Sequence, residues 1–284
     1  MRKLIVLSFC FVLGITGLLP AQNKPLFPQM PGMVSFTYRN SFAKNMALTL
    51  DTLKNMGIKD MEFSNLFGKK AVEIRKMLDE RGMKCTSFGV NYPDITDKIR
   101  EVGENAKTLG AQYVRVAWIP HKGDFNLEMA KKTVEDFNKA GKILKDEFGM
   151  TFCYHNHGYE FAKFEDGNYL DYIIKNTNPD YVSFEIDILW TFFPGGNPTE
   201  LINKYPTRFK LLHLKDLRKG VTGNLSGGTA RENDVALGTG QLDLPSILKA
   251  AKKAGIKHYY IEDESPSYAT QVPKSILYLK SLKY

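Results

Sequence analysis

Five glycines stand at equivalent places along the chain, each between a stretch of helical periodicity and a run rich in β-branched and aromatic residues. They are Gly57, Gly82, Gly110, Gly149 and Gly255. Glycine readily adopts the left-handed backbone conformation that commonly ends a helix, so each one marks where a helix stops and a strand follows. Five such joints predict repeated helix–strand units, and therefore a largely parallel sheet.

Eight strands are predicted from this alternation. They cover residues 33–38, 60–64, 84–90, 113–118, 150–155, 182–187, 209–214 and 258–262. The predicted helices include residues 42–56, 69–81, 95–109, 127–148, 244–254 and 274–282. Eight such units close most simply into an α/β fold of the (β/α)8 TIM barrel type, forming one domain. An open doubly wound sheet is the alternative, but the glycine-rich phosphate turn that normally follows an early strand there is missing after residue 38.

The first 21 residues have the pattern of a secretory signal peptide. Arg2 and Lys3 precede an apolar run over residues 4–19, and the small residue Ala21 follows. A membrane anchor is the alternative, but spanning a bilayer takes about 20 apolar residues. We therefore expect a signal peptide over residues 1–21, a mature domain over residues 22–284, export to the periplasm, and no stable membrane insertion after cleavage.

The charge pattern argues against nucleic acid as a partner. Loss of Arg2 and Lys3 lowers the net charge from +8 to +6, and the remaining basic residues are spread along the chain rather than clustered. Export would permit a disulfide between Cys85 and Cys153. Because their predicted strands are not adjacent, we expect two buried free thiols instead.

The long irregular stretch 217–241 is predicted to be a mobile lid beside the functional site.

Polar side chains mark the carboxyl ends of the last four predicted strands. Barrel enzymes place their chemistry at these ends, which here carry His155, Asp187, His213 and Glu262. An ionisable group within a parallel strand is costly unless it is paired or bound to metal. Imidazole and carboxylate together suit Mn, Zn, Co or Fe. We therefore predict one divalent metal ion held by these four; separate hydrogen bonding of each in the core is the alternative.

Other strand ends supply candidates for binding a substrate. They are Arg39, Arg115, Trp118, His157 and Trp190. The aromatic side chains would offer flat apolar faces to a sugar ring, and the arginines would bind hydroxyl or acid groups. Arg115 has an alternative role as an ion-pair partner of Glu62 inside the barrel. Glu160 is equally compatible with a substrate contact and with a surface loop.

Four motifs resemble those of the xylose isomerase-like TIM barrel superfamily, in its sugar phosphate isomerase/epimerase group. They are the segments 154–161 (YHNHGYEF), 184–190 (FEIDILW), 213–216 (HLKD) and 260–264 (YIEDE), within a similarity that spans residues 33–282. In the ketose epimerases of this group, strands five to eight supply Glu, Asp, His and Glu to one metal. Asp187, His213 and Glu262 match that pattern, whereas His155 stands where those enzymes have a Glu that also transfers protons.

The resemblance implies proton removal beside a carbonyl, with Glu262, Lys215 and Glu62 as candidates for moving the proton; Lys215 could instead pair with Asp216. We expect an isomerase or epimerase of an unphosphorylated keto-sugar or keto-glycoside. Sugar phosphates are mostly made inside cells, and the predicted export would separate the protein from them. β-Elimination by a keto-glycoside lyase or hydratase is the alternative. The presence of His155 in place of the proton-transferring Glu on strand five weakens the case for an epimerase and so favours this alternative.

Two hypotheses come from other functional classes. A non-catalytic sugar-binding barrel would need the aromatic residues but no metal ligands. The metal-dependent endonuclease for abasic DNA shares the fold but uses several metals and a DNA-binding rim, which a chain without a basic cluster does not offer. The expected partner is a small sugar, and the sequence is compatible with a homo-oligomer.

Overall fold

The computed structural model describes residues 24–284, so the predicted signal peptide lies outside the described residues. Eight parallel strands form a closed barrel in which each strand pairs with its neighbours in the chain and the last pairs with the first. They are β1 (Gly32–Val34), β2 (Asp60–Phe63), β3 (Lys84–Val90), β4 (Tyr113–Val116), β5 (Thr151–His155), β6 (Val182–Asp187), β7 (Phe209–Leu214) and β8 (His258–Ile261). The predicted TIM barrel is confirmed, and the open sheet is wrong.

Helices surround the barrel and alternate with its strands. They are α1 (Arg39–Lys44), α2 (Met46–Asn55), α3 (Ala71–Asp79), α4 (Tyr92–Asp97), α5 (Ile99–Leu109), α6 (Leu127–Phe148), α7 (Tyr169–Asn176), α8 (Ile188–Phe192), α9 (Pro198–Lys204), α10 (Leu244–Lys253) and α11 (Tyr268–Ser281). The helix predicted over residues 42–56 is interrupted at Asn45, because this residue is extended and its side chain caps α2 by accepting from the Leu48 amide. Likewise, the helix predicted over residues 95–109 is interrupted at Lys98.

All five joint glycines adopt the left-handed conformation, with φ between 61° and 92°. Each sits at the end of a helix just before the next strand, as predicted. The sequence pattern therefore reports a real backbone requirement, because a residue with a Cβ atom is strained at such φ values.

The barrel interior changes from apolar to ionic along the strands. Cys153, Leu211 and Tyr260 belong to a small buried cluster inside the barrel. Two residues further along the same strands come His155, His213 and Glu262. Residues two apart in a strand point to the same side, so the ionic side chains lie directly above the apolar cluster at the carboxyl-terminal mouth.

The 217–241 loop is anchored at both ends by one carboxylate. Asp216 accepts hydrogen bonds from the amides of Leu217, Gly238, Gly240 and Leu242 at 2.9–3.2 Å. Within the loop lie a β-bridge between Leu217 and Asp234 and a single 3-10 turn. The loop is thus ordered by its own contacts beside the barrel mouth, and its motion as a lid stays a prediction.

Two further sequence expectations concern cysteines and membranes. Cys85 and Cys153 are buried and unpaired within residues 24–284, as free thiols were expected to be. In the same part of the chain, no helix combines the length and apolar character that crossing a bilayer requires.

Candidate metal and substrate site

His155, Asp187, His213 and Glu262 meet at the carboxyl-terminal mouth of the barrel. All four are buried, and one potential ligand atom from each lies within 4.8 Å of the others. Asp187 Oδ2 is 3.7 Å from His155 Nε2 and 3.8 Å from His213 Nδ1, while Glu262 Oε2 is 3.2 Å from His213 Nδ1. With metal–ligand bonds of about 2.1 Å, the ligand atoms of a tetrahedral site lie roughly 3.4 Å apart. The observed separations match that spacing.

Asp187 presents an unsatisfied oxygen to this group. Its Oδ1 caps α8 by accepting from the Trp190 amide at 2.8 Å, whereas its buried Oδ2 has no hydrogen-bond partner among the described residues. Burial raises the pKa of Asp187 to about 7, although Lys215 and His213 act in the opposite direction. A buried carboxylate oxygen without a donor is costly, and a cation bound between Asp187 and the two imidazoles would remove that cost.

Glu185 lies behind both histidines. Its Oε2 is 3.2 Å from His155 Nδ1 and 3.1 Å from His213 Nε2, on the sides of the rings that face away from Asp187. Glu62 Oε1 also contacts His213 Nε2 at 2.9 Å. Carboxylates placed in this way fix the orientation of metal-binding imidazoles and increase their basicity. The rings are therefore held with their other nitrogens directed at the proposed metal position.

Arg115 supplies positive charge beneath the site. Its guanidinium contacts Glu62, with Nε at 3.0 Å, and Glu185 at 3.3 Å. Burial by itself would raise the pKa of Glu62, but Arg115 and His213 outweigh it and lower this pKa to about 2. Glu62, Glu185 and His213 also lie close enough to form a second metal-binding group. The guanidinium already pairs with both of these carboxylates, so the group of His155, Asp187, His213 and Glu262 is the better candidate for holding a metal ion.

A cavity of about 420 Å³ opens above the four candidate ligands. Its walls include Arg115, Trp118, His155, His157, Trp190, Glu262 and Glu264. Four of the five predicted substrate-binding residues therefore line it. Arg39 is not among its lining residues in the described chain: its guanidinium lies over the Phe36 ring, at 4.3 Å from the centroid, and donates to the Phe36 carbonyl oxygen. Arg39 thus supports Phe36, which does line the cavity.

Glu62 does not occupy the position predicted for a proton-transferring residue. It is fully buried below the histidines and is committed to Arg115 and His213. The ion pair between Arg115 and Glu62, considered as an alternative from the sequence, is present. Glu62 therefore positions other groups rather than facing a substrate.

Lys215 joins three acidic residues at the edge of the cavity. Its Nζ is 3.2 Å from Glu262 Oε2, 3.0 Å from Glu264 Oε1 and 3.5 Å from Asp234 Oδ2. Burial would lower the pKa of Lys215, but Asp234, Glu262 and Glu264 raise it well above its usual value. The alternative pairing with Asp216 is wrong, because that carboxylate accepts backbone amides instead.

The sequence did not single out Asp234 or Glu264 as site residues. Glu264 follows Glu262 by two residues just after the last strand, and its position beside a candidate ligand could have identified it. Asp234 lies in the irregular 217–241 loop, where no periodicity indicates the direction of a side chain.

His157 packs among aromatic rings at the cavity wall. Its ring is nearly parallel to that of Trp190, with centroids 5.6 Å apart, and meets Trp118 edge-on at 5.2 Å. Its buried Nδ1 has no hydrogen-bond partner among the described residues. Glu160 holds this segment by accepting from the His157 amide at 2.7 Å and from the Tyr154 hydroxyl. Glu160 is completely buried behind the site, and it is neither a surface residue nor a lining residue.

Comparisons with known proteins agree with this fold. The family model described as xylose isomerase-like TIM barrel matches residues 50–282. An inosose dehydratase of Clostridium beijerinckii is 26% identical over 185 residues, which cover 58% of this chain and 61% of that protein. The chain thus spans about three fifths of the length of the first curated relatives it matches.

Solved structures give the same fold. A sugar phosphate isomerase/epimerase from Parabacteroides distasonis shares 25% identity with a TM-score of 0.72, over 88% of this chain and 93% of that one. The IOLI protein, whose structure holds a zinc atom, is 18% identical with a TM-score of 0.70, over 89% of this chain and 95% of that one.

Proposed function

The chain belongs to the xylose isomerase-like TIM barrel family, and from that premise we propose that it is a metal-dependent lyase. It removes a proton from the carbon beside a carbonyl of an unphosphorylated keto-sugar or keto-glycoside and expels the oxygen substituent on the next carbon. The relatives named inosose dehydratase support elimination. The isomerase or epimerase activity expected first from the sequence becomes the second candidate.

The observation that carries this choice is the one-sided placement of carboxylates in the cavity. Among the lining residues of the described chain, the only carboxylates are Glu262 and Glu264, and both extend from β8. An epimerase needs a proton-transferring group on each face of the same carbon. The position that would supply the second carboxylate in the related epimerases holds His155, whose Nδ1 faces Glu185. A site whose proton-transferring groups lie on one side favours elimination, in which a proton is removed from the substrate carbon and the departing oxygen is protonated on that same side.

The donor set fits one divalent cation. Two imidazoles and two carboxylates suit Zn, Mn, Co or Fe, and the zinc atom in the IOLI protein makes zinc the first metal to test. When bound, such a cation would polarise the substrate carbonyl and stabilise the negative charge that develops on its oxygen. The unpartnered Oδ2 of Asp187 and the Glu185 carboxylate behind both imidazoles support this assignment.

The residues around the cavity carry out proton transfer and substrate binding. The Glu264 carboxylate, held by Lys215 at 3.0 Å, accepts the proton from carbon. The Lys215 ammonium donates a proton to the departing oxygen and recovers one from Glu264, so the pair returns to its initial state. His157 offers its free Nδ1 to a substrate hydroxyl, and Trp118 and Trp190 cover the sugar ring.

An unphosphorylated substrate agrees with two features. We propose that residues 1–21 direct export to the periplasm, which would separate the enzyme from the cytoplasmic pool of sugar phosphates. Among the cavity-lining residues of the described chain, the only lysine or arginine is Arg115, and its guanidinium is already paired with Glu62 and Glu185, so it is not free to bind a phosphate group.

A proton NMR time course in heavy water tests this function on the purified, zinc-loaded protein. Elimination predicts an α,β-unsaturated ketone and the released alcohol or water from a keto-glycoside or keto-sugar. Deuterium incorporation with formation of an epimer, and without any unsaturated product, would instead support the isomerase or epimerase.

Metal analysis separates the enzyme from a sugar-binding module. We expect the purified protein to contain about one equivalent of metal, and His213→Ala to lose both the metal and the activity. If His213→Ala bound sugars as the wild type does and neither protein contained metal, the non-catalytic barrel would be the better interpretation. His258→Ala, at the opposite end of the barrel, is the matched control.

A further inference from the structure

A second chamber adjoins the metal-site cavity beneath the 217–241 loop. It has a volume of about 230 Å³ and shares four lining residues with the larger cavity: Phe36, His157, Trp190 and Glu264. Its remaining walls come from the loop, at Gly227, Gly228, Thr229, Arg231 and Asp234. The shared residues form a neck at which the two spaces meet.

Close contacts of the loop define the outer wall of this chamber. Gly227 has φ of 68°, and a Cβ atom there would lie 3.0 Å from the Tyr159 ring and 3.3 Å from Trp118. A Cβ at Gly223 would collide with the Phe193 carbonyl. At these two points the loop backbone therefore packs directly against the residues beneath it, and of the two glycines Gly227 also lines the chamber.

Lys215 lies behind the neck: it is buried and is not a lining residue of either space, but its Nζ is 3.0 Å from Glu264, which lines both. It contacts Glu262, a candidate metal ligand, and Asp234, which lines the second chamber. Its Nζ also lies 5.3 Å from the centre of Trp190, one of the neck residues. A bond cleaved with the help of Lys215 and Glu264 would therefore have one part of the substrate in each chamber.

The size of the second chamber exceeds what loss of water requires. A departing hydroxyl occupies about the volume of one water molecule, roughly 30 Å³ in the liquid, so most of the 230 Å³ would remain unused. Thr229, Arg231 and Asp234 offer hydroxyl, guanidinium and carboxylate groups, and Phe36 and Trp190 offer ring faces. The negative charges of Asp234 and Glu264 are offset by Lys215 and Arg231, so the chamber has little net charge. The chemistry suits a neutral, polyhydroxylated ring.

We propose that the second chamber binds the leaving group of a keto-glycoside, and that this leaving group is a second sugar ring. The assignment rests on the proposed lyase function. The C–H bond beside the carbonyl breaks and its electrons form a C=C bond, while the glycosidic C–O bond breaks and its oxygen takes a proton. The products are an unsaturated ketone and a free sugar. Because the leaving oxygen is on C1, the carbonyl must be on C3.

Two substrates with the same keto ring test the proposal: 3-keto-cellobiose and methyl 3-keto-β-glucoside. We expect kcat/KM for 3-keto-cellobiose to exceed that for the methyl glycoside at least tenfold. Gly228→Phe should narrow the second chamber without a steric clash, because Gly228 lines it and a Cβ there meets no atom within 4 Å. This variant should lose the preference while its kcat/KM for the methyl glycoside stays within about twofold of wild type.

Leu225→Phe is the matched control, since Leu225 is exposed on the same loop and does not line the chamber. Equal kcat/KM for the two substrates in the wild type, or equal losses for both in Gly228→Phe, would overturn the assignment. Elimination from neither substrate would overturn the lyase function instead. The chamber would then be judged by calorimetry with cellobiose: binding that Gly228→Phe abolishes and Leu225→Phe retains supports it, and absence of binding to the wild type refutes it.

Discussion

The Glu185 carboxylate lies 3.2 Å from Nδ1 of His155, on the side of the imidazole that faces away from Asp187. The same oxygen lies 3.1 Å from Nε2 of His213. One side chain therefore orients both candidate imidazole ligands.

Glu185→Gln should weaken metal binding by about 10- to 100-fold, because a neutral amide leaves both imidazoles less basic than the negatively charged carboxylate does. Competition with a chromogenic chelator would measure the zinc dissociation constant, with Glu104→Gln on the exposed surface as the control. An unchanged dissociation constant would show that the histidines do not depend on Glu185 for their orientation, or do not bind metal.

Lys215→Gln should lower kcat for elimination by about 10²- to 10⁴-fold, the usual contribution of a positioned acid or base. The metal content should stay near one equivalent, because Lys215 is not among the four candidate ligands. Lys210→Gln is the control, since Lys210 is an exposed residue of the same strand. Loss of metal together with activity would mean that Lys215 acts mainly on the geometry of the metal site.

Arg115→Met should destabilise the fold by about 3–5 kcal/mol, because it leaves Glu62 and Glu185 buried without their cation. Urea unfolding at pH 7 measures this loss as a lower midpoint. The double variant Arg115→Met/Glu62→Gln should recover part of the stability, since it removes one of the two uncompensated charges. If the double variant were less stable than the single one, charge burial would not be the cause.

Glu160→Gln should change how stability depends on pH. Burial raises the pKa of Glu160 from 4.5 to about 7, so between these values the unfolded chain loses a proton that the folded protein keeps. Ionisation therefore favours the unfolded state as the pH rises through this window, and wild-type stability falls relative to Glu160→Gln. The difference should reach at most about 3 kcal/mol and stay constant above pH 7.

Unfolding free energies at pH 4.5, 6 and 8 test this expectation, with Glu165→Gln at an exposed position as the control. Parallel pH profiles for wild type and Glu160→Gln would contradict it. So would a difference that grows toward low pH.

The sequence predicted most of the barrel because its signals are local. The conformation of a glycine such as Gly149 at a helix end, or of a buried run such as Val182–Asp187, can be predicted from the neighbouring residues alone. The candidate ligands could be found for the same reason: each ends a strand whose direction in the sheet is fixed by the fold.

Contacts between residues that are far apart in the sequence could not be predicted. Glu62 looked available for catalysis until its partners Arg115 and His213 were known, and these come from other strands. Arg39 sits beside the first strand, but its contact with the Phe36 carbonyl turns it away from the cavity. Asp234 reaches Lys215 only through the path of the 217–241 loop.

Asp216 holds the two ends of the 217–241 loop together. Because one carboxylate receives amides from Leu217 at one end and from Gly238, Gly240 and Leu242 at the other, the two ends stay together whatever lies between them. The contact that holds the two ends, near β7 and α10, therefore does not involve the residues between them. Grafting a different segment between these anchors, with Asp234 kept because it contacts Lys215, would then be a route to enzymes that accept other glycosides.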